Sequence, residues 1–190
     1  MQGLPQEAPA LREVNPNAFV IGFFQRWPLC TSLAAIRRFG ARSNTFPCSA
    51  VTDICFQLSQ DFFPVGREIF RLHGEAYFRD REHEICASLS QRERLIVSAG
   101  GGALTFQRNI DALRKGCVLV LIDVTPEVIY ERLAGDTTRP LLQCEDKMAA
   151  IRELYAKRDG IYRAAADVTV NGNQPKGFVA LDIMKAVGIL

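Results

Sequence analysis

Short apolar runs alternate along this chain with stretches of helical period, and that alternation limits the fold more than any other feature. Phe19-Val20-Ile21-Gly22-Phe23, Leu95-Ile96-Val97-Ser98-Ala99 and Val118-Leu119-Val120-Leu121-Ile122 are too short for core helices and too continuously apolar for strands with one wet face. They read as buried strands, and Val168-Thr169-Val170 reads as another. Ile69, Leu72, Ala76 and Phe78, then Ile85 and Leu89, predict amphipathic helix interrupted at His73-Gly74. Helices are also predicted from Phe106 to Arg114, from Pro126 to Leu133 with proline in the first turn, from about Lys147 to Ala165, and at the end of the chain. Strands alternating with helices require crossover connections, so the sheet is parallel and covered on both faces. Leu95–Ala99 feeds Gly100-Gly101-Gly102, which is predicted to be a glycine turn. Residues 25–63 show no clean period; Leu33 to Arg38 suits a helix, and Ser43 to Thr52 is turn-rich and β-branched by turns.

At 190 residues the chain has the length of one domain that can bury a core without disulfides or metal. Residues 1–17, with Pro5, Pro9 and Pro16, read as a frayed extension before a domain spanning 18–190. They carry no apolar stretch of signal-peptide length and no Arg-rich amphipathic pattern, so the expectation is a cytoplasmic protein. No apolar run approaches the roughly 18 residues of a membrane helix. The net charge of +2, from 23 basic and 21 acidic residues, is too balanced for a nucleic-acid or anionic-membrane surface. The six cysteines form no C-x-x-C pair, which argues against a zinc or redox motif and for buried free thiols. No metal ligands are assigned.

Four segments, Gly74-Glu75-Ala76-Tyr77-Phe78-Arg79, Gly100-Gly101-Gly102, Arg139-Pro140-Leu141-Leu142 and Ala156-Lys157-Arg158 through Tyr162, together resemble shikimate kinase in order and approximate spacing. Phe19 to Phe23 also resembles that family's first strand. The resemblance implies a three-layer α/β/α P-loop kinase fold with a parallel sheet of about five strands. It implies phosphoryl transfer from ATP, with Mg²⁺, to the 3-hydroxyl of shikimate in aromatic amino-acid biosynthesis, by a protein expected to be a monomer. It places Arg79 and Arg158 on the substrate carboxylate, where planar guanidinium forks suit an acid. It places Gly100, Gly101 and Gly102 beside the substrate, where missing side chains let backbone N–H groups approach. Arg132 and Arg139 frame Leu133 to Thr138, which resembles the family's lid, and its closure would exclude water and bring positive charge to the transferring phosphoryl group. Gln174 falls where the family touches adenine. The residues alone also allow plainer readings: a solvated run Arg79-Asp80-Arg81-Glu82, a helix-capping Arg158, glycines that only turn a strand, and surface loops at Arg132, Arg139 and Gln174.

The resemblance breaks after Gly22. A phosphate-binding loop reads G-x-x-x-x-G-K-[ST], with glycines for close approach, amides around the phosphates, a lysine for charge and a hydroxyl for magnesium. Here Gly22 is followed by Phe23-Phe24-Gln25-Arg26, and Trp27, Pro28 and Leu29 occupy the last three diagnostic positions. Proline removes an amide donor and tryptophan adds bulk where backbone must meet ligand. The first lysine in the chain is Lys115. Arg26 with Thr31 or Ser32 supplies charge and hydroxyl only if the loop is longer, and arginine is no simple substitute for lysine. Counting back from Glu68-Ile69-Phe70, the second member of the family's acidic pair is Asp53, the candidate to orient or deprotonate the attacking hydroxyl; Val51 stands at the first. A chance match at Asp53 stays open. Resemblance resumes near Arg67, a pattern of block replacement across Gln25 to Phe63. Three functions follow: a shikimate kinase homologue with impaired or absent phosphoryl transfer, an inactive shikimate-binding or partner-binding descendant, and a kinase for another hydroxylated acid.

Overall fold

The computed structural model describes residues 18–23, 50–54, 66–93, 95–133, 144 and 146–188. Five strands form one sheet: β1 (Ala18–Phe23), β2 (Ala50–Asp53), β3 (Leu95–Ser98), β4 (Val118–Asp123) and β5 (Val168–Asn171). Their order is β2-β3-β1-β4-β5, and every pairing is parallel. Residue pairs such as Val20 with Val97 and Val20 with Leu119 fix β1 at the centre. The first, third, fourth and fifth strands lie where the apolar runs predicted them. β2 was not predicted: its four residues, Ala50-Val51-Thr52-Asp53, carry too little apolar signal, and its place comes from pairing with β3.

Residues 118–122 of β4 are buried without alternation, so side chains on both faces of this strand are covered. The covering helices are α1 (Gly66–Leu89), α2 (Gly100–Ala103), α3 (Gln107–Arg114), α4 (Pro126–Leu133), α5 (Lys147–Ala165) and α6 (Lys176–Ala186). α1 packs on α3 and α4 on α5. The predicted interruption at His73-Gly74 is present, because Gly74 adopts φ +80°, ψ 175° inside α1. That backbone region is open essentially to glycine alone, so the helix breaks and restarts at Glu75.

α5 is held at both ends. Asp146 accepts a hydrogen bond from the Ala149 amide at 2.9 Å at its start, and Arg114 Nη2 donates to the carbonyls of Ala164 and Ala165 at 2.9 Å at its end. Asp167 then locks the exit: its amide donates to Leu119 O, and its Oδ2 accepts from Leu119 N. At the same end of the sheet, a Cβ on Gly116 would lie 2.0 Å from Ser90 O, so the turns that end α1 and begin β4 touch backbone to backbone. Cys86 and Cys117 are free and buried, and burial pushes their thiols up to about 12 and about 11. Cys144 is free but exposed, against the expectation of burial, and Cys30, Cys48 and Cys55 lie outside the described residues. Among the described residues, no helix is long and apolar enough to cross a membrane.

Candidate functional site

In a parallel sheet, ligand-binding groups collect at the carboxyl ends of the strands, in the crevice where neighbouring connections leave in opposite directions. In this order the chain leaves β1 toward β2 and leaves β4 toward β5, so the crevice lies between β1 and β4. Gly22 is the penultimate residue of β1 and pairs with Leu121. Asp53 ends β2 opposite Ser98, which ends β3 two residues before Gly100. Gly22, Asp53 and the glycine segment therefore share one edge of the sheet.

The glycine segment is not the turn predicted from sequence. Gly100–Ala103 forms one helical turn, α2, and the Gly102 carbonyl accepts from Thr105 N at 3.1 Å and Thr105 Oγ1 at 2.7 Å. These bonds close the turn and offset the poor helix propensity of three glycines. Arg79 lies directly against it, since a Cβ on Gly102 would stand 3.5 Å from Arg79 Nη1.

Arg79 is held from several sides. Nη1 donates to Glu82 Oε2 at 3.1 Å, Nε and Nη2 lie 3.4 Å from Glu75 Oε1, and the guanidinium carbon stands 4.7 Å from the Phe106 ring centre. Spacings of three and four residues on a helix make both carboxylates reach the same guanidinium. Glu82 is only 3% exposed, and burial pushes its carboxyl above the ordinary range while Arg79 and Asn109 pull it back. Asn109, 1% exposed, donates from Nδ2 to Ala103 O at 3.0 Å and to Glu82 Oε2 at 3.4 Å, and its Oδ1 lies 3.1 Å from His83 Nδ1. Sequence reading missed Glu82 and Asn109. The available signals were a carboxylate three residues after Arg79 and an amide flanking Ile110 on the buried side of α3.

Arg158 lies on α5 one turn before Tyr162, and its charge favours the ionised form of the Tyr162 phenol. Tyr162 is buried, and burial raises its phenol above the ordinary range. Tyr162 lines a small cavity together with Leu104, Leu119, Leu121 and Ala166, next to the segment that follows α2. Arg163 binds Asp123 and Asp159 at 2.8 Å each, pinning the same helix to the end of β4.

A second group forms around the turn after β5. Arg132, at the end of α4, donates from Nη2 to Gly172 O at 2.9 Å. Gly172 N donates to Asp123 O at 2.7 Å, and Asn173 Oδ1 accepts from Thr125 N at 2.9 Å at the start of α4. Gln174 Nε2 donates to Asp182 Oδ2 on α6. The structure thus brings Arg132 to the Gln174 turn and Arg79 to the glycines. Arg139 lies outside the described residues, as do residues 24–49 after β1, and the side chain of Asp53 is not described.

Fold and edge together define a parallel α/β protein with guanidinium groups arranged around the carboxyl ends of its strands. The shikimate kinase family model matches residues 54–187. A shikimate kinase of Burkholderia lata is 37% identical over 119 residues, covering 62% of this chain and 65% of the relative. One of Neisseria gonorrhoeae is 43% identical over 102 residues, covering 54% of this chain and 76% of the relative. The solved shikimate kinase of Acinetobacter baumannii in complex with shikimate superposes with a TM-score of 0.70 at 25% identity, covering 88% of this chain and 92% of that one. The chain belongs to the shikimate kinase family. The alignments span 65% and 76% of the length of these two curated relatives.

Proposed function

We propose that this chain is a shikimate kinase homologue whose acid-binding half is intact and whose phosphoryl transfer is impaired or absent. The observation that carries this reading is the Arg79 guanidinium, held on buried Glu82 within reach of the glycine segment. A guanidinium fixed in advance loses little freedom on meeting a carboxylate, and backbone amides nearby suit hydroxyls on the same small ring. Arg158, on α5, is the second carboxylate ligand. Gly100, Gly101 and Gly102 line the ring, and Asp53 orients or deprotonates the 3-hydroxyl. Arg132, Arg139 and Gln174 meet the nucleotide, with Gly22 at the start of its phosphate loop.

ATP and Mg²⁺ are the co-reactants the family implies, but the residues after Gly22 do not fit a phosphate cradle. Pro28 has no amide hydrogen, Trp27 is bulky, and no lysine precedes Lys115. Catalysis of this kind is mostly positioning and electrostatics, so losing cradle and lysine removes several kcal/mol of transition-state stabilisation. Block replacement is proposed for residues 25–63, but the family match already takes in residues 54–63, so it supports replacement only across 25–53. A compensated frame shift in that block predicts a G-x-x-x-x-G-K-[ST] string in another reading frame of the coding DNA; finding none in any frame removes that explanation. Domain 18–190, a monomeric state and a cytoplasmic location belong to the same reading.

The test is ADP release from MgATP with and without shikimate, with Arg79→Ala as control. A folded chain that binds shikimate without turnover is the expected result. Shikimate-dependent turnover abolished by Arg79→Ala means another group replaces the lysine, and turnover only with a different hydroxylated acid transfers the assignment to that substrate. The missing lysine also favours a second reading, a non-enzymatic binder of shikimate or of a partner, which ATP-independent shikimate binding supports.

A further inference from the structure

We propose that Asn109 is a positioning residue for acid recognition, its carboxamide tying the Arg79–Glu82 pair to the glycine segment so that both face one ligand as a unit. The inference deepens the function proposed above and rests on it. Asn109 is 1% exposed, and all its polar atoms are directed. Ala103 O and the Glu82 carboxylate can only accept, so they fix which way the amide points and leave Oδ1, 3.1 Å from His83 Nδ1, to accept from that nitrogen. Nδ2 then has two hydrogens and two acceptors, Ala103 O at 3.0 Å and Glu82 Oε2 at 3.4 Å. The first acceptor is the last residue of α2, and the second is the carboxylate that holds Arg79 Nη1.

The geometry has a consequence for binding. Glu82 sits on α1 and Ala103 on α2, two elements separated in sequence, and α3 supplies an amide that reaches both. Without that amide, the Ala103 carbonyl and the buried carboxylate each lose a donor, and Glu82 can rotate toward other partners. Arg79 then keeps its charge but loses its direction relative to the backbone amides of the glycines. Asn109 touches no ligand group itself and acts through Arg79 and Ala103.

A merely structural residue would lower stability without changing which ligand is preferred, and this separates the two roles. The test is calorimetric titration of shikimate and of methyl shikimate, whose ester lacks the charge Arg79 reads, into the unaltered chain, Asn109→Leu and Arg79→Ala. Asn109→Leu keeps a similar volume and removes the hydrogen bonds. The unaltered chain prefers the acid; Asn109→Leu is expected to lose about tenfold of that preference, the scale of one charge-assisted hydrogen bond. Arg79→Ala should lose all of it. A folded Asn109→Leu whose preference equals that of the unaltered chain overturns the inference while leaving the proposed function standing. No preference for the acid in the unaltered chain, or one that survives Arg79→Ala, overturns the proposed function first. If Asn109→Leu does not fold, the side-chain amide resonance of Asn109 in the unaltered protein decides the matter. It should shift on saturation with shikimate and less with the methyl ester, and an unmoved resonance overturns the inference.

Discussion

Two glycine-containing segments at the same edge of the sheet are built in opposite ways. Around Gly102 the environment is made of side chains: Arg79 on Glu82, Glu82 on Asn109, Asn109 on Ala103 O. Around Gly172 it is made of backbone and tight packing. A Cβ there would lie 2.4 Å from Val124 Cγ2, 2.6 Å from Ile122 Cγ2 and 2.9 Å from Asp123 O, and Arg132 donates to the glycine's own carbonyl. Arg79 is anchored on the carboxylates of its own helix, whereas Arg132 is anchored on a carbonyl of the turn after β5. The comparison teaches that arginines at one sheet edge can be set in place by side chains or by backbone.

Substitutions can break this contrast. Gly172→Ala should have the largest effect, about 2–4 kcal/mol of destabilisation from overpacking against Val124, Ile122 and Asp123 O. Thermal denaturation should register it as a fall of roughly 5–15 °C. An unchanged melting temperature would mean that the turn relaxes and is not the rigid brace described. Arg79→Ala comes next, weakening shikimate by roughly 10–100-fold, or about 1.4–2.8 kcal/mol, as measured by titration calorimetry. A change below threefold would place the carboxylate elsewhere.

Smaller effects sharpen the same contrast. Because burial raises the Glu82 carboxyl, the folded chain holds that proton more tightly than the unfolded chain does. The contribution is fully present below the ordinary carboxyl range and is lost as pH rises through the raised folded value. The unaltered chain should therefore lose melting temperature relative to Glu82→Gln as pH rises from the ordinary carboxyl range through the raised folded value. Parallel pH curves would show that Arg79 and Asn109 fully offset the burial. Gln174→Ala should change stability least, by about 0.5 kcal/mol or less, because its bond to Asp182 is a single partly buried contact. A fall in ATP affinity in that variant, read by calorimetry, would give Gln174 a nucleotide role beyond bracing α6.

Much of the fold was legible because its signals are local. Pro126–Leu133 begins with proline, Lys147–Ala165 follows the capping Asp146, and Val118–Ile122 is apolar without a break, so boundaries and burial both follow from the residues themselves. β2 was illegible because pairing with β3, not its own composition, makes Ala50–Asp53 a strand. The glycine segment was misjudged because its helical turn depends on Thr105 binding back to Gly102 O.

The site was half legible. Arg79, Arg158 and the glycines stood out through resemblance, but the run Arg79-Asp80-Arg81-Glu82 also read as solvated charge. A helix turns about 100° per residue, so four consecutive residues cannot share one environment. Asp80 keeps 61% of its side chain exposed while Glu82 keeps 4%. Asn109 was hidden for the complementary reason, since only the fold shows that an amide beside Ile110 faces a buried carboxylate.

The break at Gly74 has a consequence in chirality. Its φ of +80° with ψ 175° is the mirror image of an ordinary extended conformation, and nothing lies within 4 Å of where a side chain would begin. The obstacle to a larger residue at position 74 is therefore handedness, not space. A chain assembled by chemical synthesis with D-alanine at 74 should fold as well as the natural one, whereas L-alanine should strain the joint from which the Arg79 helix sets out. Position 74 accepts either no stereocentre or one of the opposite hand.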